Sequence, residues 1–154
     1  MTEIDKLTGN LTPSDLMPLL FIGHGSPMNA IEDNIFSRKW VELGKQLPHP
    51  QAILSISAHW LTSGTKVTAM QNPRTIHDFG GFPEELFRQE YPVSGSPEIA
   101  ETITGMTTEP LIGQDQNWGL DHGTWSVLKP MFPLADIPVI QPTIIFCPCF
   151  MFWV

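Results

Sequence analysis

Two short apolar runs along the chain each lead to a histidine, and a segment with helical periodicity separates them. Residues 17–23 make up the first run, which stops at His24, and residues 51–57 make up the second run, which leads to His59. The apolar positions of the intervening segment are spaced four, three and four residues apart, at Phe36, Trp40, Leu43 and Leu47. This spacing predicts an amphipathic helix that begins after Asp33, so the whole stretch is typical of a strand, a helix and a second strand.

The two histidines are expected at the same edge of a sheet. A strand, a covering helix and a second strand form a right-handed unit with parallel strands. In such a unit the carboxyl ends of both strands meet at one edge, where open α/β sheets form their ligand sites. Two imidazoles among small residues at that edge, His24 and His59, indicate a metal site. The pattern alone leaves open that both are loop residues whose rings hydrogen-bond to backbone carbonyls.

The rest of the chain also alternates between short strands and helices. Residues 65–70 alternate as a third strand, and residues 137–141 have the character of a further one. The predicted helices cover residues 84–90, 97–105 and 124–131. Ser96 is the expected N-cap of the middle helix, which should end near Gly105. This alternation predicts an α/β fold with a largely parallel central sheet flanked by helices.

Three stretches of the chain differ in composition. Residues 1–16 mix polar, charged and turn-forming residues without periodicity, which is typical of a mobile leader. Residues 17–141 hold the predicted elements and form the expected folded unit. Residues 142–154 contain no charge but four aromatic residues, and we interpret them as an atypical apolar tail. The tail is too short to cross a bilayer, which takes about twenty apolar residues.

The composition narrows the classes of function. Sixteen acidic residues against eight basic ones give a formal net charge of −8. This excess disfavours a nucleic-acid surface and an anionic membrane face, because both need clustered Lys and Arg. The two cysteines, Cys147 and Cys149, are too close in sequence for an ordinary disulfide and lack the further ligands of a zinc site. Together with a leader that has no apolar core, this indicates a cytoplasmic protein.

Two further histidines lie in loops and are candidates for the same crevice. His77 and His122 could each act as a metal ligand, as an acid or base, or as a donor to a substrate oxygen. The residues that follow His77 are Asp78, Phe79, Gly80 and Gly81. Paired glycines beside aromatic rings let a backbone approach a ligand closely. By contrast, His49 lies between two prolines and is expected at the surface.

Four motifs, in this order and spacing, resemble a known family. They are residues 23–28 (GHGSPM), 57–60 (SAHW), 77–83 (HDFGGFP) and 120–123 (LDHG). Together they are similar to the LigB-like class III extradiol ring-cleavage dioxygenases, and most of all to the 4,5-DOPA dioxygenase branch of that family. The resemblance extends over residues 17–141.

The resemblance implies a metal-dependent reaction and a role for each histidine. In that family, residues at the positions of His24 and His59 bind a non-haem metal, which is Fe(II) in the active enzyme and often Zn(II) as isolated. His122 would be the catalytic group beside the substrate. The substrate would be a catechol such as DOPA, whose ring is opened by O₂ to give a semialdehyde. The substrate pocket would be lined by His77, Asp78, Phe79, Gly80 and Gly81.

The resemblance also implies that part of the site lies elsewhere. Members of the family continue for about as many residues again, and that second half supplies the third metal ligand. We therefore expect an apparently truncated sheet with an exposed edge, through which the chain could self-associate. Two other interpretations stay open. One is an inactive metal-binding fragment or interaction protein, and the other is a zinc hydrolase, which would need no O₂.

Overall fold

The computed structural model describes residues 17–106 and 108–145. The predicted leader, residues 1–16, and most of the predicted tail, residues 146–154, lie outside the described residues. A 3₁₀ turn at Pro27–Ala30 precedes four helices, which are α1 (Ile35–Gln46), α2 (Glu84–Phe87), α3 (Pro97–Gly105) and α4 (His122–Met131). The strands are β1 (Ile53–Leu54), β2 (Leu61–Thr62), β3 (Thr65–Thr68), β4 (Ile112–Asp115), β5 (Val139–Ile140) and β6 (Ile144–Ile145).

The strands pair in parallel, which confirms the predicted α/β class. β1 pairs with β5, β2 with β6 and β3 with β4. Residues 139–145 join these pairs, because Gln141 also bonds to Thr68, and Thr143 bonds to Lys66. In the described part of the chain the parallel sheet therefore consists of three two-stranded pairs around one segment, not of a single continuous sheet.

The prediction of a first strand at residues 17–23 is wrong, since this segment forms no strand in the structure. The side chains of Leu19 and Phe21 are 100% and 97% exposed. A strand satisfies its backbone hydrogen-bonding groups only by pairing with a neighbour. In the described residues the expected neighbour, β1, pairs with β5 and not with residues 17–23. The predicted unit of strand, helix and parallel strand is therefore also wrong, although its helix forms.

Helix α1 begins at the predicted place. The Asn34 side chain accepts hydrogen bonds from the backbone N–H groups of Phe36 and Ser37, and the Ser37 hydroxyl accepts one from the Asn34 N–H. This is a capping box, which satisfies N–H groups that have no partner inside the helix. Ser37 and Trp40 lie on the buried face, whereas Phe36 is exposed. The predicted place of Phe36 in the core is wrong, because the helix is rotated to bury Ser37.

Helices α1 and α4 approach each other closely. Trp40 is buried in a cluster with Val127 and Met131 of α4. A Cβ atom at Gly44 would lie 2.1 Å from the carbonyl oxygen of Met131, which is closer than any real Cβ contact. The absence of a side chain at residue 44 therefore allows this packing.

Helix α4 occupies the centre of the main core. Its Trp125 is fully buried and donates a hydrogen bond from Nε1 to the carbonyl oxygen of Ile76 at 2.8 Å. The other buried members of this core are Leu86, Tyr91, Val93, Leu120, Leu128 and Val139. Because His122 is the first residue of α4, the packing of this helix fixes where that histidine lies.

The termini of α3 agree with the prediction. The Ser96 hydroxyl accepts a hydrogen bond from the Ile99 N–H, and the helix ends at Gly105. Strand β4 was not predicted, because its sequence, Ile-Gly-Gln-Asp, has no apolar alternation.

None of the helices in residues 17–106 and 108–145 combines the length and the apolar character needed to cross a membrane.

Candidate metal centre

His24 is held by the turn that follows it. Gly25 has a φ of +61°, a conformation that favours glycine, and the chain then enters the turn at Pro27–Ala30. The side-chain amide of Asn29 donates to the carbonyl oxygen of His24 at 3.1 Å. Asn29 is in turn tied to the cap of α1, because Asn34 donates to its side-chain oxygen at 2.8 Å. The backbone at His24 is thus fixed even though the preceding run is exposed.

The other two histidines come from separate elements. His59 follows β1, and its backbone N–H donates to the hydroxyl of Ser57 at 3.2 Å. His122 begins α4, and the N-cap of that helix, Asp121, is completely buried and accepts a hydrogen bond from the Thr124 N–H. Three distant parts of the chain therefore deliver three imidazoles to one place.

The three imidazoles converge closely. The Nε2 atoms of His24 and His59 are 2.9 Å apart. One ring nitrogen from each of His24, His59 and His122 lies within 4.8 Å of the other two. The ring of His122 is centred 5.0 Å from that of His24 and 4.1 Å from that of His59. His122 is buried, His24 is half-buried and His59 is exposed, so the cluster opens to solvent on the side of His59.

Gly123 makes room for His59. A Cβ atom at this position would lie 2.7 Å from Cδ2 of His59 and 2.8 Å from the hydroxyl oxygen of Ser57. Both distances are below van der Waals contact, so a glycine is needed if these two residues are to keep their positions. This requirement cannot be predicted from the local sequence, because the contact joins segments that are far apart along the chain.

The cluster fits a bound metal cation. Nδ1 of His24 is buried without a well-formed hydrogen bond to the described residues. The pKa of His24 is lowered, first by burial and then by the neighbouring His122 and His59, so its neutral form is favoured. A neutral imidazole is the form that ligates metals, and sets of imidazoles suit iron and zinc.

Asp78 contacts His122 twice. Its Oδ1 accepts a hydrogen bond from the backbone N–H of His122 at 2.9 Å, and the same oxygen lies 2.9 Å from Nδ1 of the ring. The ring contact has the length of an ion pair but is not aligned as a hydrogen bond. Burial would raise the pKa of Asp78, but the contacts with His122 outweigh it and hold the pKa below its ordinary value. Asp78 is therefore a carboxylate at the border of the cluster.

Phe79 places the loop that begins at His77 against the histidine cluster. Its ring is centred 5.6 Å from that of His122 and meets it edge to face. A Cβ atom at Gly80 or Gly81 would meet nothing within 4 Å, so the space beside these glycines is open. Gly81 has a φ of +78°, which lets the loop turn there. This arrangement leaves the space beside the two glycines, next to Phe79, open to solvent.

His77 does not join the cluster of His24, His59 and His122 in the described residues. Its Nε2 lies 2.9 Å from the carbonyl oxygen of Gln89, and its ring packs 5.5 Å from that of Trp125. His77 also contacts Phe79, at 5.8 Å between ring centres. His77 therefore supports the ring of Phe79 from within the loop.

A buried pair behind the cluster has no counterpart in the sequence analysis. Asp121 and Gln141 are both inaccessible to solvent. The Gln141 side-chain amide donates to Oδ2 of Asp121, and its oxygen faces the Asp121 N–H at 3.4 Å. The Gln141 N–H donates to the hydroxyl of Thr68 at 2.8 Å. The pair links the cap of α4 to strand β3, and only the tertiary fold brings these residues together.

Comparisons with known proteins agree with this geometry. The profile of a family described as the catalytic LigB subunit of aromatic ring-opening dioxygenase matches residues 18–152. The 4,5-DOPA dioxygenase extradiol of Escherichia coli (strain K12) is 53% identical over 132 residues, which cover 85% of this chain and 49% of that protein. The protein of the same name from Beta vulgaris is 42% identical over 127 residues, which cover 79% and 47%. The chain thus spans about half the length of the curated relatives it matches.

A solved structure also has this fold. The crystal structure of an uncharacterised Escherichia coli K12 protein is 43% identical, with a TM-score of 0.61 over 77% of this chain and 44% of that one. The family profile covers all the described elements, including the three converging histidines, and the resemblance predicted from the four motifs is confirmed. This chain therefore belongs to the family of the catalytic LigB subunit of aromatic ring-opening dioxygenases.

Proposed function

We propose that this protein is a non-haem metal-dependent extradiol dioxygenase that opens the ring of a catechol, such as DOPA, with O₂. The observation that carries the proposal is the convergence of His24, His59 and His122 in a member of the LigB family. Relatives named as 4,5-DOPA dioxygenases support the choice of a catechol. In this proposal residues 17–141 are the N-terminal part of the catalytic domain.

His24 and His59 are the proposed metal ligands, for Fe(II) or Zn(II). When bound, Fe(II) supplies the redox chemistry between ring and O₂, which Zn(II) lacks. The chain's part is to present two imidazoles at a fixed place. Burial keeps the pKa of His24 low, and the turn after His24 and the hydrogen bond from His59 to Ser57 hold the two backbones.

His122 is the proposed acid–base group beside the substrate. It is buried at the start of α4, and a neutral imidazole there can accept a proton from a catechol hydroxyl. Its ring is fixed relative to the proposed ligands by the packing of α4, so the proton acceptor keeps one position. The proton taken up can then be returned to the ring-opened product.

The loop that begins at His77 is the proposed wall of the substrate pocket. In this proposal the catechol lies beside the ring of Phe79, which packs edge to face on His122, and the open space beside Gly80 and Gly81 admits its flat face. His77 and Asp78 hold this wall through their contacts with Gln89 and His122. The proposed partners are therefore small molecules, not nucleic acid or a membrane, and the cysteine usage favours the cytoplasm.

The proposal is tested in two steps, of which the first is metal content. His24→Ala and His59→Ala should each lose stoichiometric Fe(II) or Zn(II), because each removes a ligand. His49→Ala is the matched control: His49 is an exposed histidine whose only polar contact in the described chain is with Asp136 at 3.5 Å, and its variant should bind metal normally. Full metal content in both His24→Ala and His59→Ala would contradict the assignment.

The second step is oxygen consumption by the Fe(II)-loaded chain supplied with DOPA under controlled O₂. Uptake with a ring-opened product, absent in His24→Ala, supports a dioxygenase. Metal binding without any uptake would instead support the interpretation as an inactive metal-binding fragment. Turnover of an ester or amide by the Zn(II) form without O₂ would support the zinc hydrolase.

A further inference from the structure

Asp78 makes a contact with the His122 ring that the fold does not require. The hydrogen bond from the His122 backbone N–H to Oδ1 already ties the loop to the start of α4. The second contact, 2.9 Å from the same oxygen to Nδ1 of the ring, joins two side chains that are only 22% and 9% exposed. The Phe79 ring, next in the loop, lies against the same imidazole. The Asp78 carboxylate therefore contacts one particular nitrogen, Nδ1, of the buried His122 ring.

The chemistry of the two groups decides where the ring carries its proton. An ionised carboxylate has only lone pairs, and an aspartate is ionised at neutral pH. An unprotonated Nδ1 at 2.9 Å would place its own lone pair against that oxygen, and the two lone pairs would repel each other. A protonated Nδ1 turns the same contact into an attraction, and a small rotation of the ring would align it.

A neutral imidazole has one proton, so protonation of Nδ1 leaves Nε2 with a free lone pair. We propose that Asp78 is a positioning residue, which keeps the proton of His122 on Nδ1 so that Nε2 is the acceptor for the substrate's hydroxyl proton. This inference rests on the proposed function for the role of His122. This role differs from that of a pocket residue that contacts the substrate, because Asp78 acts through His122.

The direct test is the tautomer of His122, read from the ¹⁵N shifts of its ring nitrogens in histidine-labelled protein supplied with diamagnetic Zn(II). The expected form in the unaltered protein is Nδ1–H. Asp78→Ala should lose this signature. Asp78→Asn should keep it, because the backbone N–H of His122 selects the amide oxygen as its acceptor and the same oxygen faces Nδ1.

Asp136→Ala is the matched control for these variants. Asp136 is a carboxylate that lies 3.5 Å from a different histidine, His49, at the surface, and its removal should leave the His122 signals unchanged. Any form of His122 other than Nδ1–H in the unaltered protein overturns the proposal, whether or not the variants fold. An unchanged tautomer in Asp78→Ala also overturns it.

Kinetics separate this role from a contact with substrate. In the Fe(II)-loaded chain, Asp78→Ala should lower kcat by about a hundredfold, the usual contribution of a positioned acid–base group, with metal content and KM little changed. Asp78→Asn should restore most of kcat. A rise in KM with normal kcat would overturn the positioning role. If the chain binds metal but consumes no O₂, the proposed function is wrong. The ¹⁵N measurement of the His122 tautomer then still tests the role of Asp78.

Discussion

Gly123 is the residue on which the approach of His59 to helix α4 depends. The space that its missing side chain leaves is filled by the His59 ring and the Ser57 hydroxyl. Both neighbours lie in the segment after β1, while Gly123 lies in the first turn of α4. The absence of a side chain at residue 123 therefore allows His59 to approach His122.

Gly123→Ala should weaken metal binding by at least about tenfold, because a Cβ 2.7 Å from Cδ2 of His59 must displace that ring. Isothermal titration with Zn(II) measures the affinity, and circular dichroism checks that the chain remains folded. Gly113→Ala is the control, since a Cβ in β4 would meet its nearest atoms at 3.8 Å and should leave the affinity unchanged. Equal affinities in the two variants would show that His59 does not need this space.

At the scale of elements, Tyr91 connects the segment after α2 to the end of α4. The buried phenol donates a hydrogen bond to the carbonyl oxygen of Phe132, the C-cap of α4, at 3.0 Å. Burial, and secondly the negative charge of Asp136, raise the pKa of Tyr91 to about 12. The neutral phenol is therefore the form that holds the end of the helix carrying His122.

The stability of this connection should depend on pH in the alkaline range. The pKa of Tyr91 in the folded chain, about 12, lies above the value of about 10 for an unfolded chain, so the unfolded state loses the proton first. The stabilisation is fully present below pH of about 10 and is lost as the pH rises towards about 12.

Urea unfolding at pH 9 and pH 11 measures the change. Tyr91 is the single tyrosine of the chain, so tyrosinate absorbance follows this group alone. Tyr91→Phe should lower the free energy of unfolding by about 1 kcal/mol at pH 9 through the lost hydrogen bond, but should lose less stability than the unaltered chain between the two pH values. Equal losses in both proteins would contradict the role of the phenol.

At the scale of the whole molecule, an apolar surface lies beside the histidine cluster. The runs that lead to His24 and His59 carry large side chains between 55% and 100% exposed, which are Leu19, Phe21, Leu54 and Ile56, and Leu61, two residues after His59, is 57% exposed. Because the two histidine rings touch, both runs reach the same region of the surface. Exposed apolar patches of this kind mark interaction surfaces, and strand edges promote pairing between chains.

We therefore predict that the chain self-associates through this surface. Sedimentation velocity over a range of micromolar concentrations should show a rising sedimentation coefficient. Ile56→Lys and Phe21→Lys should reduce the effect, because each puts a charge into the contact. Leu134→Lys, at a position 81% exposed after α4, is the control and should behave like the unaltered chain. A monomer at every concentration would refute the prediction.

Much of the local structure follows from sequence alone, because it depends on contacts between near neighbours. The start of α1 follows from Asn34 and Ser37, and the ends of α3 follow from Ser96 and Gly105, since caps act within one turn. The four motifs were enough to identify the family, because each combines a histidine with small or aromatic neighbours at fixed spacing.

Only the tertiary structure decided how these pieces meet. Residues 17–23 have the pattern of a strand but have no partner in the described chain, since pairing depends on a neighbour that the local pattern does not specify. The convergence of His24, His59 and His122, the space at Gly123 and the contact of Asp78 with Nδ1 join residues from different elements. The residue types of the site are thus a property of the sequence, and their distances are a property of the packed fold.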